Sequence, residues 1–286
     1  MTAVTEAGTG GSGPQAQKGM QAQSEPAVRV TQLRVIRSEW TKLHSLRSTR
    51  YSLLAALAVT IGLGILISWG SASHWDEENP GERLFFDPTL TSLSGIFLAQ
   101  LAVGVLGVLI VSGEYSTGMI RATMAAVPRR LPVLWAKAVV FAVVTFVLMT
   151  VASFVAFAGG QAMMASKHIS TTLSHPGVLT AVIGGGLYLT VVGVLGVALG
   201  ALLRSTAGGI ATLFALLLIL PIIVHFLPSD WQDHINKYLP SNAGQSILNV
   251  VHDSSALSPW TGLALFCGYA LLALAGSAVL LQRRDA

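Results

Sequence analysis

The stretch VLTAVIGGGLYLTVVGVLGVALGALL, residues 178–203, contains no Lys, Arg, Asp or Glu. A helix needs about 20 predominantly apolar residues to cross the hydrocarbon core of a bilayer, so this stretch is predicted to span a membrane. Its small residues include Gly196 and Gly200, whose spacing of four lets neighbouring helices approach closely. Such glycines serve packing within the chain, a seam between two copies, or a wall that faces a substrate.

Five further long stretches of the chain have the same predominantly apolar character. Of its 286 residues 52% are hydrophobic and 10% are charged, against about 25% charged in soluble domains, and the mean hydropathy is +0.66. A buried helix of a soluble protein rarely stays uncharged for so long. The sequence therefore predicts an all-α membrane protein with six transmembrane helices near residues 51–70, 89–112, 133–158, 178–203, 207–227 and 259–281.

The basic residues indicate the orientation of these spans. With a cytoplasmic N-terminus, the outer loops hold only Arg83, Lys167 and Lys237, and the other 14 of the 17 Lys and Arg residues lie inside. The acidic residues show the opposite bias. We therefore expect a multi-pass protein of the cell membrane with both termini in the cytoplasm. Its basic residues would face an anionic leaflet and not a nucleic acid.

Two segments precede the first span. Residues 1–27 are rich in Gly, Ala, Gln and Ser, have no apolar h-region, and are predicted to form a disordered cytoplasmic tail. Residues 28–50 are predicted to form an amphipathic helix along the membrane interface. Its apolar face comprises Val30, Leu33, Ile36, Trp40 and Leu43, and its basic residues include Arg34, Arg37 and Lys42. This helix is either a topological anchor or a relay to a partner.

The segment GEYSTGMIRATMAAVPRR, residues 113–130, lies between the second and third spans. Tyr115, Met119, Ile120 and Met124 recur at helical spacing, and Glu114 near the start suits the positive end of a helix dipole. Pro128 is expected to end this helix. The segment is either a short amphipathic helix beneath the membrane or an ordinary basic loop.

The segment 228–258 is long for a connection between spans. Trp231, Ile235 and Tyr238 share one helical face, and Ala243, Ile247 and Val251 share another. This spacing predicts two short helices that dip back towards the membrane before the last span. A floppy surface loop would not need so regular a pattern.

Several kinds of chemistry have no support in the sequence. No G-x-x-x-x-G-K-[ST] occurs, so the chain has no phosphate-binding loop of that type. No carboxylate lies within a predicted span, which argues against a carrier driven by protons or sodium ions. Asp230 and His234 lie one helical turn apart but lack further ligands, so no metal site is predicted. No catalytic constellation is visible, and we expect no enzymatic activity in this chain.

Three motifs together resemble the permease subunits of type-2 ATP-binding-cassette (ABC) transporters. They are G-E-Y-x-x-G-x-I-R…P-R-R after the second span, RVIRSEWTKLHSLRST at residues 34–49, and YLPSNAGQSIL at residues 238–248. The last two are similar to segments of actinobacterial members. The likeness extends over nearly the whole chain from about residue 28.

The resemblance implies a coupling helix at residues 114–126 that docks on a separate ATPase subunit. Glu114 would face the ATPase, Gly118 would allow close approach, and Arg121 would pair with an acid or a lipid phosphate. Tyr115, Met119 and Arg129 complete this expected partner-binding set. The family also implies a connecting helix on the inner leaflet, formed by residues 28–50 and containing Arg34, Arg37, Trp40 and Lys42.

The function expected on this basis is an ATP-driven exporter of an apolar or amphiphilic substrate. The permeases would form a homodimer, and ATP and Mg would bind the partner subunits and not this chain. The alternatives are a secondary transporter or channel without an ATPase, and a membrane-embedded enzyme. Intramembrane ionisable groups would favour the former, and a catalytic constellation the latter.

The predicted topology can be tested with cysteines in a Cys267→Ala background. Cysteines at Ser73, Ser170 and Ser254 should react with an impermeant thiol reagent in whole cells, because these positions lie outside. Cysteines at Ser116 and Ser205 should stay unlabelled until the cells are opened. Labelling at position 116 in intact cells would reverse the assigned orientation.

Overall fold

The computed structural model describes residues 32–45, 47–118, 130–251 and 256–283, with the backbone but not the side chain of Glu82, Arg130 and Asp233. These described residues contain helices and no strand. The helices are, in order, α1 Gln32–Ser45, α2 Arg47–His74, α3 Pro80–Arg83, α4 Pro88–Ser92, α5 Ile96–Ser116, α6 Arg130–Met164, α7 Val178–Leu203, α8 Thr206–Phe214, α9 Leu220–His225, α10 Ser229–Ile235, α11 Pro240–Gln245 and α12 Pro259–Arg283. A π-helical turn, Ala215–Ile219, joins α8 to α9.

Six helical rods within these ranges are long and apolar enough to cross a membrane. They are α2, α5, α6, α7, the rod formed by α8 and α9, and α12, which confirms the predicted all-α fold with six spans. The helices extend beyond some predicted spans, since α2 begins at Arg47 and α6 continues to Met164. Hydropathy marks the apolar part of a helix, whereas the backbone stays helical until a breaker or cap ends it.

Helix α7 is the centre of the bundle. Of the span windows, that of α7 is the most buried, at 67%, compared with 22% for the fifth span and 28% for α2. A Cβ atom on Gly196 would lie 2.3 Å from the carbonyl oxygen of Gly104 in α5, and one on Gly107 would lie 2.3 Å from that of Gly193. The backbones of α5 and α7 are therefore in direct contact, and these glycines pack within the chain.

Three further glycines of α7 also pack against neighbouring parts of the same chain. A Cβ on Gly184 would meet Ile247, one on Gly185 would meet Ile96 and Ser153, and one on Gly186 would meet Thr150. Neighbouring helices of the same chain occupy the space that a side chain would need. Of the three uses considered for the glycines, packing within the chain is the one that the contacts support.

A polar link crosses the interior. The hydroxyl of the fully buried Tyr188 in α7 donates to Oε1 of Gln100 in α5, and Gln245 Nε2 in α11 donates to that hydroxyl over 3.2 Å. The Phe266 ring of α12 lies 5.5 Å from the Tyr188 ring, between centroids. One tyrosine thus contacts α5, α11 and α12 from the central helix.

One end of the bundle, here called the Asp76 end, carries the short helices. Buried Asp87 caps α4, because its Oδ1 accepts from the amides of Thr89 at 2.8 Å and Leu90 at 3.1 Å. Its Oδ2 accepts from the amide of Val250 at 3.1 Å, which ties the segment before α12 to the start of the second span. A single carboxylate therefore joins two connections that are far apart in sequence.

The predicted short helices before the last span are confirmed as α10 and α11. Ala243 and Ile247 are buried, whereas Val251 of the same predicted face is 50% exposed. On the other face, Trp231 is 61% exposed and Tyr238 is 49% exposed. Their approach to a membrane stays a prediction.

The glycine contact yields a stability prediction. Gly196→Val should destabilise the protein by at least about 1–3 kcal/mol, because its side chain would meet a backbone carbonyl that cannot move independently. Gly62→Val in α2 is the matched control, since a Cβ there has nothing within 4 Å. The measurement is thermal unfolding of the full chain in detergent. Equal stability of the two variants would contradict the contact between α5 and α7.

Candidate functional site

Helix α1 lies against the opposite end of the bundle, here called the Lys137 end. Val35 of α1 packs with Val133 and Ala136 near the start of α6, and Leu43 joins the main core. The side-chain amide Nε2 of Gln32 donates to the Pro132 carbonyl over 3.1 Å. The buried stripe of α1 is thus formed by residues spaced four apart, at positions 35, 39 and 43.

The middle residue of this stripe is Glu39, and it belongs to a closed arrangement of four charges. Lys137 Nζ lies 2.7 Å from Glu39 Oε2 and 2.9 Å from Glu114 Oε1. Lys42 Nζ lies 2.8 Å from Glu39 Oε1 and 3.2 Å from the same Glu114 Oε1. We call Glu39, Lys42, Glu114 and Lys137 the four-charge ring. It joins α1 to the last turn of α5 and the second turn of α6.

The ring is largely removed from solvent. Glu39 and Lys137 are each 5% exposed and Glu114 is 8% exposed, whereas the Lys42 side chain is 31% exposed. An isolated buried charge is strongly disfavoured, so each ion here depends on its neighbours. Two carboxylates and two ammonium groups alternate around the ring, and its net charge is zero.

The electrostatic environment favours the charged forms of the α1 residues. Burial would raise the pKa of Glu39, but the ammonium groups of Lys137 and Lys42 more than offset this, and the pKa lies below its ordinary range. Burial would lower the pKa of Lys42, but Glu39 and Glu114 hold it above its ordinary range. The stability that Glu39 contributes is fully present above a pH of about 4.3 and is lost as the pH falls through its lowered pKa. The stability that Lys42 contributes is fully present below a pH of about 10.4 and is lost as the pH rises through its raised pKa.

Glu114 is not where the sequence led us to expect it. It lies in the last turn of α5, and not near the start of a separate helix, and its carboxylate faces α1 and α6. The C-terminal end of a helix carries a partial negative charge and disfavours a carboxylate. The two lysines therefore offset both this end of the α5 dipole and the charge of Glu114. The expectation that no carboxylate lies within a span is wrong, since the second span, Ile96–Ser116, contains Glu114.

The chain leaves α5 in a turn whose geometry explains Gly118. Thr117 caps the helix, and Gly118 follows with φ of +72°, a left-handed conformation that glycine adopts without strain. The predicted helix over residues 114–126 is therefore wrong at its start. Gly118 is exposed, with open space around it as far as the described residues extend, and close approach of a partner there stays a prediction.

The other predicted coupling residues divide into two groups. Tyr115 is half-buried, with the Arg204 guanidinium carbon 5.4 Å from the centroid of its ring. Met119, Arg121 and Arg129 lie outside the described residues. Partner binding by this set stays a prediction.

The predicted apolar face of α1 is only partly the face that packs on the bundle. Leu43 is buried and Ile36 is half-buried, but Leu33 is 77% exposed and Trp40 is 46% exposed. The buried stripe is rotated towards Glu39, because the ion pair with Lys137 draws that residue inwards. Arg34 and Arg37 are exposed, as expected of the basic face.

Sequence reasoning missed Glu39 and Lys137. Each had a signal. Glu39 is the single acid in the basic segment 28–50, and Lys137 is the single charge inside the predicted span 133–158. A single acid among basic residues in one helix and a single base in an apolar span together indicate an ion pair. The sequence does not show that these two residues are partners, because they are 98 positions apart.

A metal is not suggested by the described part of the chain, in which no three His, Cys, Asp or Glu side chains are grouped to bind one. The Nδ1 atom of His234 lies 2.6 Å from the carbonyl oxygen of Asp230, within the same helix.

The fold and the site define a multi-pass membrane protein with an amphipathic helix docked on the ends of its spans. The chain belongs to the ABC-2 transporter family: the model of the "ABC-2 family transporter protein" family matches residues 35–221, a range that includes the entire four-charge ring. It is therefore a permease subunit of the ABC-2 type. No match was found among individual curated proteins. The likeness to actinobacterial members stays a prediction.

The ring predicts unequal effects for two lysine substitutions. Lys137→Met should lower the free energy of unfolding by about 3–5 kcal/mol, because it leaves two buried carboxylates with one ammonium group. Lys167→Met should leave it nearly unchanged, since the Asp76 carboxylate with which Lys167 pairs is largely exposed. Thermal unfolding of the full chain in detergent measures both.

A double variant separates charge from packing. Adding Glu39→Gln to Lys137→Met leaves Lys42 and Glu114 as a neutral pair, so stability should recover in part. A double variant less stable than Lys137→Met alone would contradict the ring as an electrostatic unit.

Proposed function

We propose that the chain is the permease of an ATP-driven exporter, in which two copies work with separate ATPase subunits. The observation that supports this best is the four-charge ring. It joins α1 to the residues on both sides of the connection 119–129, namely the end of α5 and the start of α6. A push on that connection would move all three helices together, because separating them would leave buried charges without partners.

Charge at the Lys137 end supports a cytoplasmic location for the coupling surface. Arg47, Arg50, Arg204 and Arg283 lie at helix ends there, as does Lys137 itself. On α1, the exposed Leu33 and Trp40 suit the interfacial region of the inner leaflet, and nearby Arg34 and Arg37 suit its anionic lipids. Both termini would then be cytoplasmic.

ATP would be bound and hydrolysed on the partner. The sequence of this chain has no phosphate-binding loop of the Walker type, and the permease family is typically non-catalytic. ATP and Mg would therefore be cofactors of the ATPase subunits. The permease would supply the transport path and the docking surface.

An apolar cavity of about 600 Å³ supports an apolar or amphiphilic substrate. It lies beside the π-helical turn, between Leu195 and Leu199 of α7, Leu216 and Leu220 of the fifth span, and Ala273 of α12. This volume is typical of pockets for small molecules, and π-helical turns are frequent at functional sites. Outward movement is implied by the family resemblance.

A second copy of the chain would suit the fifth span, whose window is 22% buried. Ile219, Ile222 and Ile223 are each more than half exposed along this rod. Pairing through these side chains would place the two apolar cavities near a common interface. We propose a homodimer on this basis.

The second candidate is a secondary transporter or channel, which buried Glu114 and Lys137 would favour as ionisable groups within spans. Their placement supports the exporter instead. Both lie near helix ends, and each is held by an opposite charge of the same ring. A carrier site is expected near the middle of the bilayer.

Co-purification tests the proposal. The tagged full chain, isolated from its native membranes, should retain an ATPase subunit at equal stoichiometry. Gly118→Trp should reduce that retention at least tenfold, because bulk at an exposed docking turn would block close approach. Arg121→Glu should do the same through charge reversal.

Lys237→Glu is the matched control, since it reverses a charge at the Asp76 end and should retain the ATPase. Substrate uptake into inverted vesicles, which corresponds to export from the cell, should require ATP in every active variant. Full export by the isolated chain in the absence of an ATPase would identify a secondary transporter instead.

A further inference from the structure

A second cavity, of about 590 Å³, borders the four-charge ring and is separate from the apolar cavity near the fifth span. It lies among α1, the first turns of α2, the last turns of α5 and the start of α6. Its walls are apolar where Leu106, Leu109 and Val140 contribute, and hydroxylic where Ser48 and Ser52 contribute. One cavity thus combines an apolar wall with a strongly polar end.

The polar end contains an unsatisfied acceptor. Glu114 lines the cavity, and its Oε1 accepts from both Lys42 and Lys137. Its Oε2 is buried and has no hydrogen-bond partner among the described residues. A buried carboxylate oxygen without a donor is unfavourable, so this atom calls for a hydrogen-bond donor beyond those that the described residues supply.

The same end also offers donors. The Lys42 ammonium has three N–H groups, of which two are directed to Glu39 and Glu114, and its side chain is 31% exposed. Ser48 and Ser52 add hydroxyls on the first turns of α2. These donors can therefore bind an anionic oxygen of a ligand. The site lies a short distance from Glu114 Oε2, which can accept from a cationic group of the same ligand.

The net charge of the four-charge ring restricts the net charge of the ligand. Because the ring is neutral, a ligand with a net charge of either sign would leave an uncompensated charge beside it. A zwitterion with an ammonium group and a phosphate matches the acceptor and the donors without a net charge. An apolar tail matches the remaining wall.

We propose that this cavity binds a phosphatidylethanolamine molecule of the surrounding bilayer. Its ammonium group donates to Glu114 Oε2, its phosphate accepts from Lys42 and the α2 hydroxyls, and its acyl chain lies along Leu106, Leu109 and Val140. The cavity is at the level where the spans begin and end, which is the level of lipid headgroups. The bound lipid contacts Lys42 and Glu114 of the four-charge ring and thereby holds α1 on the bundle, whether or not an ATPase is attached.

The test uses the full chain, purified in detergent and stripped of lipid. Phosphatidylethanolamine should raise the thermal midpoint by about 2–4 °C more than phosphatidylcholine with the same acyl chains. The choline headgroup has no N–H to donate, so it leaves Glu114 Oε2 unsatisfied. Native mass spectrometry should show one retained phosphatidylethanolamine per chain.

A cavity-filling variant keeps the ring intact. Ser48→Trp should abolish the extra stabilisation by phosphatidylethanolamine, because the indole occupies the cavity. Ser73→Trp, an exposed position at the other end of α2, should retain it. Equal effects of the two headgroups, or a preference that survives Ser48→Trp, would overturn the proposal.

Three further ligands test whether the cavity prefers a zwitterionic lipid to a soluble headgroup or to a charged amphiphile. Phosphoethanolamine alone should not stabilise the chain, because it lacks the apolar tail; an effect equal to that of the lipid would indicate a soluble ligand and overturn the proposal. Dodecylamine and phosphatidylglycerol should each stabilise less than phosphatidylethanolamine, because each carries a net charge. A match by either would overturn the assigned zwitterion.

Discussion

The backbone contact between α5 and α7 sets the positions of the other helices. Lipid tails are as apolar as leucine side chains, so helices in a bilayer associate through close packing and polar contacts. Gly104 and Gly107 of α5 meet Gly193 and Gly196 of α7 without intervening side chains. Because α7 also contacts α6, the same central helix positions α5, whose last turn contains Glu114, and α6, which contains Lys137.

The four-charge ring is the polar counterpart of that contact. Apolar packing alone would hold α1 weakly, since its buried stripe contains only a few aliphatic residues. The ions give the docking a defined geometry, because each carboxylate contacts both ammonium groups. A link of this kind between α1 and two spans is what the proposed coupling to an ATPase would require at the place where force enters.

The sequence was sufficient for the features that the bilayer imposes on every chain. Hydrocarbon thickness sets span length, and small residues at helical spacing mark close packing, as at Gly196. The end of α5 was not predictable in this way, because the conformation of Gly118 fixes it, and hydropathy does not report φ. The orientation of α1 was also hidden, because an apolar residue such as Trp40 can face lipid as readily as protein. The ring depends on an ion pair between Glu39 and Lys137, which no local pattern specifies.

The carboxylate of Asp87 has a consequence for biogenesis. It accepts hydrogen bonds from α4 at once, but its other oxygen bonds the amide of Val250, 163 residues later. At about 5–20 residues per second, the ribosome delivers that amide some 8–30 s after Asp87 is made. During this interval the carboxylate oxygen depends on water, so the nascent bundle stays open there. The Asp76 end of the bundle closes only when the segment before the final span arrives.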